Sequence, residues 1–153
     1  MRILSIFLSG AFVALLSPSF ASACSCAEKL PLEEALKDAT LVFVGRVEDQ
    51  KESAFKKDQM EVKFTVFKRF KGFEEVPNNE YVLIHTPKDS AGCGYNFTNG
   101  FEYLVFATGT PAHFRTNLCS RTEVLENAQL DQHRLLRLTG QPEEPESEPS
   151  PLD

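Results

Sequence analysis

Beyond Leu16 the sequence has no apolar run long enough to span a bilayer as a helix, which excludes a polytopic helical membrane protein. It has no nucleophile elbow, no phosphate-binding glycine loop and no H-E-x-x-H pair, so none of these marks of enzymatic chemistry is present and the chain reads as a non-enzyme. It has no internal repeat. It also lacks a surplus of basic charge, with 16 Lys and Arg against 22 Asp and Glu, and duplex nucleic acid needs an electrostatic footprint that such a chain does not offer. What remains, 153 residues at 42% hydrophobic and 25% charged, suits one small globular domain.

The long apolar run lies at the start. Met1-Arg2 leads into Ile3 to Leu16, then Ser17-Pro18, then small residues ending Ala21-Ser22-Ala23. This order predicts a secretory signal peptide over residues 1–23, cut between Ala23 and Cys24, and an exported protein, extracellular or periplasmic. Without Arg2 the remaining chain has 15 basic and 22 acidic residues. Five of the acids, Glu143, Glu144, Glu146, Glu148 and Asp153, fall in residues 140–153 beside four of the nine prolines, a composition that predicts a solvated, disordered acidic tail. The body, 24–139, is nearly neutral. Its one basic cluster, Lys63, Lys68, Arg69 and Lys71, is expected along a solvated strand edge, where lysine discourages edge pairing.

Within that body, Pro31 to Ala39 has helical spacing with acids near its start. Strand patterns follow at Leu41 to Val47, Met60 to Val66, Tyr81 to Ile84 and Phe101 to Ala107, with connections at Pro77-Asn78-Asn79 and Asn99-Gly100. A fifth strand is expected over Phe114 to Cys119, and helical spacing returns from Leu125 to a stop near Gly140. No helix separates the strands, so a parallel sheet is disfavoured. A mainly β, five-stranded barrel with a helix at each end is predicted, its core supplied by phenylalanines, 13 in the whole chain and ten of them after residue 23.

Four cysteines, Cys24, Cys26, Cys93 and Cys119, are an even number in a chain with an export signal, which argues for two disulfides. A Cys24–Cys26 bond would close a very small, strained ring, so each of these two should reach a distant partner. Both bonds then clamp the end that cleavage creates, and ordering a terminus so strongly needs a reason.

Three blocks carry a resemblance. Cys24-Ser25-Cys26-Ala27 is similar to the mature N-terminus of the tissue inhibitors of metalloproteinases, whose inhibitory domain is a netrin-like, OB-type barrel. The stretch from Thr86-Pro87 to Cys93-Gly94-Tyr95 is similar to the family's connector, and Phe101-Glu102-Tyr103-Leu104 followed by Cys119 is a third match. The resemblance covers about residues 24–125 and implies the pairs Cys24–Cys93 and Cys26–Cys119. The family's third N-domain disulfide and its cysteine-rich C-terminal domain have no counterpart here, so the likeness is to a minimal, single-domain and bacterial relative.

The resemblance implies a wedge that enters a zinc metalloendopeptidase as a monomer. The Cys24 amine and carbonyl would chelate the protease's zinc, since catalytic zinc keeps a position open that water normally fills. Ser25 would enter the primary specificity pocket, and Cys26 and Ala27 the adjoining subsites. Ala91 and Gly92 would form the other side of the ridge, Gly92 being smaller than the family's usual residue. No cofactor and no metal of its own are implied.

Other readings are open to these residues. Cys24, Cys26 and Cys93 with one of His85, His113 or His133 could hold zinc, although the spacing matches no common zinc module and each histidine reads as a surface or strand-end residue. Ala21-Ser22-Ala23-Cys24 resembles a lipobox, and lipidation of Cys24 would tie the protein to a membrane while blocking both its thiol and its amine. The even cysteine count favours ordinary cleavage. A non-inhibitory netrin-like module of the cell envelope, binding other proteins through the barrel and its loops, is the alternative function. Asn96-Phe97-Thr98 is a glycosylation sequon that matters only in a eukaryotic host.

Overall fold

A computed structural model describes residues 24, 26, 28–76 and 80–142. The leader expected over 1–23, the turn expected at 77–79 and residues 143–153 of the expected tail lie outside these. The elements run α1 (Leu32–Asp38), β1 (Leu41–Glu52), β2 (Gln59–Lys71), β3 (Tyr81–Pro87), β4 (Glu102–Thr110), β5 (His113–Arg115), β6 (Glu123–Val124) and α2 (Leu125–Leu138).

The first five strands are hydrogen-bonded in the order β1-β2-β3-β5-β4, and β4 pairs back onto β1, closing a barrel. All these pairings are antiparallel except β3 with β5. The fold is therefore mainly β, a five-stranded OB-fold-like barrel with a short helix before it and a longer one after it. Closure needs strongly coiled strands, and β1 has register shifts against β2 at three points along its length.

Alternation along the strands explains the runs that read as continuously apolar. Leu41, Phe43, Tyr103, Val105 and Ala107 point into the barrel, where they meet Val62, Phe64, Ile84, Phe97 and Phe114. Their neighbours Val42, Val44, Leu104 and Phe106 point outward and are buried under Leu32 and Ala35 of α1 and Ala128, Leu135 and Leu136 of α2. Both faces of β1 over residues 41–44 and of β4 over 103–107 are thus covered, and a polar residue at either stretch would be buried. Inside, Phe43, Phe64, Phe97 and Tyr103 pack edge-on, with successive centroids 5.5, 5.1 and 4.9 Å apart.

Local expectations are corrected in part. Of the basic cluster expected on a strand edge, Lys63 is paired on both sides, with Asp49 of β1 and Leu83 of β3, whereas β3 reaches no farther along β2 than Thr65, so Lys68, Arg69 and Lys71 do lie where β2 is bonded to β1 alone. Lys71 also donates to the carbonyls of Leu36 and Lys37 at 2.7 and 2.9 Å, satisfying the C-terminal end of α1, while Lys63 and Arg69 lie over the rings of Tyr81 and Phe73. The fifth strand is only His113–Arg115, since Thr116 turns its hydroxyl onto the Phe106 carbonyl and starts a loop. The two-residue β6, which adds to β4 ahead of α2, is too short to leave a period in the sequence.

Candidate functional site

The described chain begins at a clamp. Cys24 is bonded to Cys93 and Cys26 to Cys119, with Cα atoms 5.1 and 5.2 Å apart, and no described cysteine is free. The bonds are adjacent, the Cys24 and Cys119 sulfurs lying 3.7 Å apart. Polar contacts continue the attachment toward α1. Lys29 pairs with Glu123 at 2.9 Å, and Arg121 donates to the Leu30 carbonyl at 2.7 Å while its other nitrogens grip Asp131 of α2. The N-terminal segment is thereby tied to the β3–β4 connection, the β5–β6 loop and α2.

The receiving loops are themselves fixed. In the connection after β3, Asp89 accepts from the Gly92 and Gly94 amides at 2.8 Å each, through its carboxylate and its carbonyl respectively. Cys93 takes φ 62°, a left-handed backbone that aims its sulfur at Cys24. Gly94 is required by close approach, because a Cβ there would lie 2.0 Å from the Pro87 carbonyl oxygen. Ala91 and Gly92 are left exposed beside the Cys24–Cys93 bond. The Leu118 amide donates to the Cys93 carbonyl at 2.8 Å, so the two loops that hold the disulfides are also bonded to each other.

The loop carrying Cys119 rests on a buried hydroxyl network. The Phe106 amide donates to Thr122 Oγ1 at 3.0 Å, Thr116 Oγ1 donates to the Phe106 carbonyl at 2.8 Å, and the two threonine oxygens are 2.8 Å apart. Asn117 Oδ1 accepts from the Cys119 and Ser120 amides. Thr122→Val keeps the shape but strips the partner from a buried amide. It should destabilise the fold by about 1–3 kcal/mol in urea titration, whereas Asn127→Ala on the exposed face of α2 should shift it little.

Of the residues the sequence singles out, Cys24, Cys26, Ala91 and Gly92 are brought to this one rim by the two disulfides and the Cys93 loop, while Ala23, Ser25 and Ala27 lie outside the described residues. The cysteine-histidine zinc cluster does not form. The sulfurs of Cys24, Cys93 and Cys119 lie within 4.8 Å of one another, but every one is in a disulfide, and no histidine joins the group. No described helix is long and apolar enough to cross a membrane.

Of the histidines, His85 departs from the expected surface or strand-end position, being buried within β3, while His113 stands at a strand end and His133 on the surface. His85 is 6% exposed and its ring lies 4.3 Å from that of His113, which opens β5, while His133 is exposed on α2. Burial holds both His85 and His113 below the ordinary imidazole range, and at His85 the neighbouring His113 adds to the effect. Nothing local in the sequence marks this pair, because β5 reaches β3 only through closure of the barrel. No family model matches the chain, and no curated protein matches it.

Proposed function

We propose that the chain, exported and cut before Cys24, is an inhibitor of zinc metalloendopeptidases of the kind its N-terminus resembles. The observation that supports this reading is the convergence of both disulfides on Cys24 and Cys26, with the exposed Ala91-Gly92 turn alongside. A terminus held in this way enters a cleft having already lost most of its conformational freedom, so little of the binding energy is spent on ordering it. Its α-amino group, with an ordinary pKa of about 7.7–8.0, is partly neutral at pH 7 and brings a lone pair to the metal. The Cys24 carbonyl supplies the second donor. Ser25 would fill the primary specificity pocket, Cys26 and Ala27 the next subsites, and Ala91 and Gly92 the other side of the contact, with no metal or cofactor of the inhibitor's own.

The test has two parts. The intact mass of the exported protein should equal that of a chain starting at unmodified Cys24 with both disulfides formed, and an acyl-modified Cys24 would remove the free amine on which the mechanism depends. Against a panel of zinc endopeptidases, that chain should inhibit at least one, with Ser25→Gly at least tenfold weaker. Absence of inhibition across the panel would leave a netrin-like protein-binding module of the envelope as the better reading.

A further inference from the structure

The shortest strand of the barrel is β5, three residues held to β3 by a parallel contact of only two pairs, Ile84 with Phe114 and His85 with Arg115. One further bond continues the junction, the Thr116 amide donating to the His85 carbonyl at 2.9 Å. From Thr116 the chain runs straight into the loop whose Cys119 holds Cys26 and whose Leu118 amide holds the Cys93 carbonyl. A change that parts β5 from β3 therefore also loosens the loop on which the disulfide clamp rests.

Two imidazoles meet at this junction. The rings of His85 and His113 have centroids 4.3 Å apart and a tilt of 38°, and His85 Nδ1 and His113 Nε2 are buried with no hydrogen-bond partner. A neutral ring can leave one nitrogen bare, but a protonated ring donates from both, so a proton on either histidine puts an unbonded N–H in the interior. The charges facing the pair make this worse. Lys56 of the β1–β2 connection acts on both rings and Arg115 of β5 on His113. The acid that faces them, Glu61 of β2 across from His85, is already paired with Lys51 of β1 at 3.1 Å. Two imidazolium ions at this spacing also repel each other.

We propose that the His85–His113 pair is an acid-operated latch: while neutral it keeps β5 against β3, and on taking up protons from solvent it parts the two strands and frees the Cys119 loop, so that the disulfide rim loses its fixed shape. The direction follows from burial and the nearby cations, which hold both imidazoles below their ordinary range in the closed junction, so that the parted rings bind protons more readily. The junction is fully stable above the ordinary imidazole pKa of about 6.5 and weakens as pH falls through it. The β1–β4 closure lies away from the pair and is expected to hold. A rim that loosens in acid would release its partner there, and the latch itself does not depend on that partner being a protease.

The test is amide hydrogen exchange, followed by NMR on the exported chain with both disulfides intact, at pH 7.5 and pH 5. Protection factors, which already allow for the intrinsic effect of pH, should fall about tenfold or more at Thr116 and Leu118 while those of Val44 and Val105 change little. His113→Phe keeps a ring in place that cannot charge, and it should abolish most of the fall, whereas His133→Phe on the exposed face of α2 should leave it intact. The native imidazole resonances supply a second readout that needs no variant: His85 and His113 should titrate at lower pH than His133. Equal protection at the two pH values, a fall spread evenly over the barrel, or a fall that persists in His113→Phe would overturn the proposal. So would titration of all three histidines together.

Discussion

Acetylating the Cys24 amine, or leaving one extra residue before it, should weaken inhibition of a susceptible zinc endopeptidase by at least a hundredfold while leaving the melting temperature unchanged. Acetylation converts the amine into an amide with no available lone pair, and an added residue places a peptide bond where the metal would be. Either change removes a ligand that water must replace in a cleft the inhibitor has already dried. The fold has no stake in that amine, since the clamp works through the two sulfurs and through Lys29 and Arg121 farther along. Inhibition by the unblocked chain should also strengthen as pH rises toward 8, because zinc selects the neutral amine and binding releases a proton. The inhibition constant and the melt, measured on the same two preparations, separate a lost ligand from a lost structure.

Removing one disulfide should act on stability and inhibition together. The Cys26–Cys119 bond closes a loop with a sequence separation of 93 and the Cys24–Cys93 bond one of 69. Loops of this length correspond on the chain-entropy model to roughly 4 kcal/mol for the first bond formed, and losses of about 2–4 kcal/mol are usual when a native bond is taken out. The double substitution Cys26→Ser with Cys119→Ser should therefore lower the melting midpoint by on the order of 10 °C. The barrel should survive, because its aromatic interior and the β1–β4 closure do not involve the sulfurs. Inhibition should fall more than the melt alone accounts for at temperatures where the variant is folded. Cys24 would then be held by Cys93 only, and the target would have to order the residues that follow it. Equal inhibition by the folded variant would mean that preordering contributes nothing.

Much of the barrel was legible in the sequence because strand alternation is local. Val62, Phe64 and Val66 announce β2 by period alone, and the unbroken runs at Leu41 to Val44 and Tyr103 to Ala107 are long enough to mark strands buried on both faces. Errors arose where structure depends on closure. Lys63 resembles part of an edge until β1 and β3 are seen on either side, while Lys68, Arg69 and Lys71 lie past the end of the β3 pairing. The stretch from Phe114 to Cys119 alternates like a strand, but the hydroxyls of Thr116 and Thr122 hold it as a loop against Phe106. The cysteines pointed to a terminal clamp by number and position, and spacing alone left open which distant partner each would take. His85 and His113 were invisible as a pair because 27 intervening positions and a parallel β3–β5 contact separate them in the chain.

In the proposed mode of inhibition the Cys24 amine becomes a ligand of another protein's zinc, and cobalt reports such a change directly. A target endopeptidase with its catalytic zinc replaced by cobalt should show an altered visible absorption spectrum when the unblocked chain binds, as nitrogen and oxygen donors displace the metal-bound water. The acetylated chain should leave that spectrum as it was. Full inhibition by the unblocked chain with no change at the cobalt would contradict the account, because the inhibitor would then be covering the cleft without touching the metal.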